Sequence, residues 1–446
     1  MRMVRVLLVG SGGREHALAD ALSRSDKCEL FSFMSSKNPG IARLSKEFVV
    51  GDINDIASVV KLAKSKRAEV AVVGPEAPLE KGLADELVKN EILTCSPSRA
   101  AARIEWDKSY ARSLMHQHKI PGSPKFHIAK TARDAAEAID GLNGNVAVKP
   151  AGLTAGKGVK VTGVQLKNGE EAKKYAADVL SANIGKLGAV VIEEKLEGEE
   201  FTLQCFVTDG QVHPMPLVQD HKLAFEGDKG PNTGGMGSYS DANNLLPFLQ
   251  PKERDDALEI VKSVVSALSR DGALYRGVLY GQFIATNCGV KVIEFNARFG
   301  DPEAMNVLPL LEGDFAEIAG RMGEGALARD EMKFAQKASV CKYLVPEGYP
   351  DKPLKGEEVV IDEKAIANAG SRIFYSSIGE EKGKLVMLGS RTAAIVGHGE
   401  TIAEAEKKAE AACSFVKGKL FHRRDIGTGA LVNKRIAHMR LLRGEK

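Results

Sequence analysis

From Val4 to Val73 the chain alternates apolar runs of strand length with stretches of helical spacing, and this rhythm limits the fold severely. Val4 to Val9 reads as a buried strand, Gly10 to Gly13 turns the chain, and Glu15 to Leu22 has helical periodicity. Leu30 to Met34 and Val70 to Val73 are further strand candidates. Asp52 or Asn54 is expected to cap a helix whose apolar positions are Ile56, Val59, Val60 and Ala63. Alternation of this kind is satisfied by a parallel sheet covered by helices. The expected N-terminal α/β unit takes residues 1–102.

The remainder divides by composition into α+β units. Residues 103–121 form a helical connector that includes the only tryptophan, Trp106. Pro121-Gly122 and Pro124 open a small glycine-rich unit, 122–189. Residues 190–325 read as a larger mixed sheet with helices, notably Pro251 to Arg270, where proline suits the first turn. A last unit, 326–446, opens with the strand Ala338 to Val345 and holds a helix after Thr401, with Glu404 completing a capping box. Its last thirty or so residues are basic, and the ordinary meaning is a solvated terminal helix.

Two glycine loops point to phosphate. Gly10-Ser-Gly-Gly-Arg-Glu-His16 follows a strand and opens a helix, where backbone N–H groups attract anions. A dinucleotide fingerprint would need glycine where Glu15 stands and an acid after the second strand; both are missing. A monophosphate on Gly12, Gly13 and Arg14 fits better. His16 reads equally well as a packed, hydrogen-bonded residue. The second loop, Gly152-Leu-Thr-Ala-Gly-Lys157-Gly158, lacks Walker spacing and is flanked by strands, so it reads as a hairpin folding over phosphates. Lys149 ends an apolar strand before it, and Lys157 lies within it. The strand Ala189 to Ile192 runs into the acids Glu193, Glu194, Glu199 and Glu200, where backbone groups after Ile192 can pair with an adenine and a carboxylate can take the ribose hydroxyls.

The segment Lys291-Val-Ile-Glu-Phe-Asn-Ala-Arg-Phe-Gly-Asp-Pro-Glu303 follows a hairpin turn at Asn287-Cys288-Gly289. Alternation in a strand puts Glu294 and Asn296 on one face and Phe295 on the other. An anionic oxygen beside a neutral one suits Mg²⁺. Arg298 can grip a carboxylate by a two-pronged contact.

Several function classes find no support. The net charge is +3, and the basic tail lacks interleaved aromatics beyond Phe421, so nucleic acid is not expected. The six cysteines form no CxxC pair, which speaks against a zinc ribbon or dithiol redox site and fits a reducing cytosol. No apolar run approaches membrane-spanning length and the N-terminus runs straight into a strand. A cytoplasmic, monomeric protein is expected.

Together these motifs resemble the ATP-grasp superfamily, and within it the phosphoribosylamine–glycine ligase family. The resemblance spans nearly the whole chain, on GSGGREHAL (10–18), VVGPEAPL (72–79), KPAGLTAGKGV (149–159), GPNTGGMGSYS (230–240), VIEFNARFGDPE (292–303) and FHRRDIG (421–427). It implies a pre-ATP-grasp N-terminal domain, an ATP-grasp core made of 103–121 and 190–325 with a mobile lid at 122–189, and a small C-terminal domain. It also implies ligation of glycine to 5-phosphoribosylamine through glycyl phosphate, with ATP cleaved to ADP and phosphate, in purine biosynthesis.

Residue by residue, the resemblance implies Mg²⁺ or Mn²⁺ on Glu294 and Asn296. ATP would meet Lys149, Lys157, Glu193, Leu196 (through its backbone) and Glu199. Arg298 would hold the glycine carboxylate, with Asp220 and the Gly234-Gly235-Met236-Gly237 loop lining the cavity. Phosphoribosylamine would sit on Gly12, Gly13, Arg14, Glu15 and the Gly74-Pro75-Glu76 turn. The chain departs from the family pattern at Ala151, where an acid is usual, and after Lys222, where an arginine is expected. Other readings are a different ATP-grasp carboxylate–amine or carboxylation enzyme, and a nucleotide sensor without turnover.

Overall fold

The computed structural model describes residues 3–154, 158–327 and 332–445. The N-terminal strands Val4–Val9, Cys28–Met34, Glu47–Val50, Val70–Val73 and Leu93–Thr94 form one parallel sheet in the order 3-2-1-4-5. Val4–Val9 is central and ends fully buried, as its unbroken apolar run requires. Helix Ile56–Ser65 is capped by Asp55, which accepts from Ser58 N–H at 3.2 Å, rather than by Asp52 or Asn54. Asp52 instead accepts from Asn54 N–H in the preceding turn. All these candidates are cap-forming residues, and which one serves depends on where the backbone turns helical.

The connector is two helices, Arg99–Trp106 and Lys108–Gln117, broken at Asp107. Asp107 leaves the helical region and accepts from Tyr110 N–H at 3.0 Å, so it closes one helix and starts the next.

The lid has its own apolar core, formed by residues such as Ile139, Val148, Val179 and Ile192. Its antiparallel sheet runs Phe126–Ala129, Val190–Glu194, Val146–Pro150, Lys160–Val161. Strand Val190–Glu194 thus belongs to the lid sheet and not to the core beginning at 190. Its composition matches either sheet, and only the pairing assigns it.

The core is an antiparallel sheet of Gln211–Pro214, Glu199–Thr208, Arg276–Thr286 and Gly289–Asn296, backed by helix Pro251–Arg270. The C-terminal sheet crosses the expected boundary near 325. Short strands Gln219–Asp220 and Gly237–Ser240 pair into it beside Ala338–Pro346, Ala393–Gly399 and Ser371–Tyr375. Helix Ile402–Cys413 covers this sheet; Thr401 caps it by accepting from Glu404 N–H, but the Glu404 carboxylate accepts from Glu400 N–H and not from Thr401, so the expected capping box is only half formed. The last helix, Gly429–Arg443, packs on the core strands Glu199–Thr208 and Arg276–Thr286 instead of standing in solvent. Among the described residues no helix is long and apolar enough to cross a membrane.

Candidate active site

A cleft of about 1170 Å³ opens where lid, core and C-terminal elements meet. Glu294 and Asn296 both border it from the last core strand, while Phe295 packs in the core edge-on to Phe283. A bulge at Ile293 sits just before them: Gln282 faces Glu294, but Phe283 faces Val292. Asn296 Nδ2 reaches Glu294 Oε1 at 3.5 Å, leaving most of that carboxylate's accepting capacity open. Burial opposes charge on Glu294, but Lys222, Lys108 and Lys149 together hold it below the ordinary carboxylate range.

The lid supplies the cation. Lys149 is buried, and its Nζ lies 2.8 Å from Glu193 and donates to the Ile293 carbonyl at 2.8 Å. Arg112 clasps the same Glu193 with two N–H donors at 2.7 and 3.0 Å. One carboxylate therefore carries two cations, and the surplus positive charge suits a phosphate. Three donors from two cations converge on Glu193, so its side chain holds Lys149 in place. The backbone beyond it, through Leu196, borders the cleft. Lys157 lies outside the described residues.

Arg298 also borders the cleft. It donates to Asn296 Oδ1 at 3.0 Å and pairs with Glu105 at 2.9 Å. Its Nε stands 3.5 Å from Glu76 Oε2 without hydrogen-bond geometry. Burial pushes Glu105 up to about 7, although Arg298 pulls it down. Burial also opposes charge on Glu76, but Arg298 and Arg14 outweigh it and keep Glu76 ionised.

Asp220, on the short strand Gln219–Asp220, also borders the cleft. Burial, helped by Glu303 and Glu200 and opposed by Lys222, pushes it up to about 7. Its Oδ1 is buried with no hydrogen-bond partner. Glu303 accepts from Tyr280 Oη at 2.9 Å, and Lys222 donates to Gln282 at 2.6 Å. The open Glu294 carboxylate beside the Asn296 amide is an oxygen donor pair of the kind a hard divalent cation takes.

The N-terminal loops are placed less simply. Arg14 and Glu76 reach the cleft. Gly12 N–H donates to Glu15 Oε2 at 2.6 Å, so Glu15 occupies the helix N-terminus itself. A Cβ on Gly10 would lie 2.6 Å from Glu15, and one on Gly74 would lie 2.1 Å from it. That packing, with Pro75 alongside, accounts for the glycines. Gly13 is pressed against Tyr343 Oη of the C-terminal domain, 2.4 Å from where a Cβ would stand. His16 is a packed residue: its Nδ1 accepts from Tyr375 N–H at 2.7 Å, and burial lowers it to about 3.

The 230–240 loop requires a correction. Met236 is buried in the main core and Gly235 packs on Pro302, so Thr233 and Gly234 line the cleft in their place. Gly235 has φ +109°, a turn conformation that explains the glycine without a ligand.

Several cleft residues escape sequence reasoning. Glu303 sits inside a motif already singled out and could have been found there. Arg112, Glu105 and Arg391 carry no local signal; Arg391 arrives from the C-terminal domain and donates to the Gly234 and Asp301 carbonyls at 2.6 and 3.1 Å. Lys434, Arg435 and His438 of the last helix also border the cleft, although their sequence reads as a solvated tail.

A separate lid sheet joined to an antiparallel core, with a buried lysine of the lid held against the strand that carries an acid–amide pair, defines an ATP-grasp protein. The family domains of phosphoribosylglycinamide synthetase match in order: N domain at 4–105, ATP-grasp (A) domain at 106–304 and C domain at 339–429. Phosphoribosylamine–glycine ligase of Methanobrevibacter smithii is 48% identical over 98% of this chain and 99% of its own. That of Methanocorpusculum labreanum is 49% identical over 99% and 100%. The crystal structure of phosphoribosylamine–glycine ligase from Thermotoga maritima superposes with a TM-score of 0.81 at 28% identity, covering 95% of this chain and 100% of that one. The biotin carboxylase domain of Hydrogenobacter thermophilus 2-oxoglutarate carboxylase shares the fold, with a TM-score of 0.74 at 14% identity, over 99% of this chain and 94% of that one. The chain belongs to the phosphoribosylglycinamide synthetase family.

Proposed function

We propose that the cleft joins glycine to 5-phosphoribosylamine, giving glycinamide ribonucleotide, ADP and phosphate, as a carbon–nitrogen ligase of purine biosynthesis. The observation that carries the chemistry is the meeting in one cleft of Lys149, anchored by Glu193 and the Ile293 carbonyl, with Glu294 and Asn296. Such an arrangement neutralises and aligns a triphosphate; it needs no nucleophilic side chain. Full-length relatives named for this reaction support the choice of substrates.

In this reading a glycine carboxylate oxygen attacks the γ-phosphorus and the bond to ADP breaks. The amine of phosphoribosylamine then attacks the acyl carbon of glycyl phosphate, and phosphate leaves. Asp220, lifted by burial to about 7, has a proton affinity matched to taking the proton the amine gives up. Arg298 orients the glycine carboxylate, while Glu105 and Glu76 hold the guanidinium. Glu294 and Asn296 would hold Mg²⁺ or Mn²⁺, which supplies charge neutralisation at the phosphates. Leu196 and Glu199 would meet the nucleoside, and Lys157 the phosphates from the hairpin. Arg14 and Glu76 would face the ribose phosphate of the amine. A cytoplasmic monomer, with small molecules and neither nucleic acid nor membrane as partners, accompanies this reading.

A substrate panel tests it. ADP release is expected only with glycine, phosphoribosylamine and a divalent cation together. ADP release indifferent to glycine, or driven by bicarbonate, would remove the assignment.

A further inference from the structure

The last helix, Gly429–Arg443, lies almost wholly beyond the C domain, which matches residues 339–429. It nevertheless forms one wall of the cleft. Lys434, Ala437, His438 and Leu441 border the cavity at helical spacing, so a single face is turned to it, with Arg435 at its margin. This face grips the candidate nucleoside contact. His438 Nδ1–H donates to Glu199 Oε1 at 2.7 Å. Arg435 Nε stands 3.3 Å from Glu199 Oε2, and its NH2 donates to Asp228 Oδ2 at 2.7 Å.

Glu199 is 5% exposed, so its orientation is set by what touches it. Burial pushes its carboxyl up while Arg435 and His438 pull it down. A carboxylate has about four accepting positions; His438 holds Oε1, while Arg435 and, at 3.5 Å, Gln219 Nε2 approach Oε2, so Oε1 keeps a position for a ligand hydroxyl. Ala437 and Leu441 add apolar surface to a cleft whose other apolar lining includes Leu196, Ile284 and Ile293. Leu441 is 77% exposed and borders the cavity, so its side chain is free to meet a ligand there.

We infer that the C-terminal helix is part of the nucleotide site, with His438 and Arg435 as positioning residues that aim Glu199 at the ribose hydroxyls and Leu441 closing over the base. This rests on the ATP reading given above. It assigns the basic tail to nucleoside selection, not to a surface partner.

The test is discrimination between ATP and its 2′-deoxy and 3′-deoxy forms, read as the ratio of kcat/KM in glycine-dependent ADP release. The native protein is expected to prefer ATP over at least one of them. His438→Ala should lower that preference about tenfold, the scale of one hydrogen bond to a charged group. His438→Asn, which can still donate, should restore most of it. Leu441→Ala, at an exposed position, should raise the ATP KM with less effect on kcat. A purely structural helix would leave the ribose preference untouched. An unaltered preference in His438→Ala, or none in the native protein, overturns the inference. Loss of glycine-dependent turnover in the native protein would strike the ligase reading instead; the same three nucleotides compared by equilibrium binding would then decide the role of the helix.

Discussion

Glu193 shows how a buried acid differs from a ligand. Two cations converge on it, and removing the carboxylate would strand Lys149 and Arg112 in the interior. Glu193→Ala is expected to cost roughly 3–5 kcal/mol of stability, the range for breaking a buried pair, as measured by urea unfolding. A stable variant with only a raised ATP KM would restore the direct-contact role that the motif suggests. Glu294 is the contrasting case, because its carboxylate is open to the cleft. Glu294→Ala should abolish turnover while the thermal transition stays within a few degrees. Full activity would refute the metal assignment. His16 makes a pH prediction. Burial and Arg43 lower it to about 3, so the unfolded chain binds a proton below about 6.5 that the folded site refuses. Stability therefore rises with pH through that window and is lost on acidification, by on the order of 3 kcal/mol near pH 4. His16→Asn keeps an acceptor for Tyr375 N–H and should flatten this slope in denaturation curves taken across it.

At the scale of elements, periodic and capped segments were legible before any coordinates. Val4–Val9, Pro251–Arg270 and the Thr401 cap follow from burial period, proline geometry and side-chain acceptors within a few residues. Where a choice depends on partners far along the chain, local chemistry is silent. Val190–Glu194 has the same apolar run whether it joins lid or core, and the terminal helix is basic whether it meets water or Glu199 and Asp228. The lid has a separate apolar core, so it can move as a body. Hydrogen exchange in Phe126–Ala129 and Val146–Pro150 should slow on adding ATP with Mg²⁺, while the N-terminal parallel sheet is unchanged. Equal exchange with and without nucleotide would contradict a closing lid.

Across the whole molecule, the residues that sequence reasoning placed correctly in the cleft lie mostly on contiguous stretches, such as Glu294, Asn296 and Arg298. Those it missed come from segments far along the chain and meet the site only on folding: Glu105 and Arg112 from the connector, Arg391 from the C-terminal sheet, Arg435 and His438 from the last helix. Met236 was misplaced for the converse reason, since a loop motif does not tell which of its residues faces inward. Domain packing has its own requirement at Gly13, where an added methyl would lie 2.4 Å from Tyr343 Oη and 3.3 Å from Ser376 Cβ. Gly13→Ala should cost roughly 1–3 kcal/mol by overpacking the contact between first helix and C-terminal domain. Tyr343→Phe, which removes the offending oxygen, should recover part of that loss in calorimetry; no recovery would place the strain elsewhere.

The chemistry can be followed by a single label. Glycine carrying oxygen-18 in its carboxylate is supplied with ATP, phosphoribosylamine and Mg²⁺, and the released phosphate is analysed by mass. Activation of the carboxylate by phosphoryl transfer delivers one heavy oxygen per turnover to phosphate. Unlabelled phosphate, formed while the amide product accumulates, would contradict it.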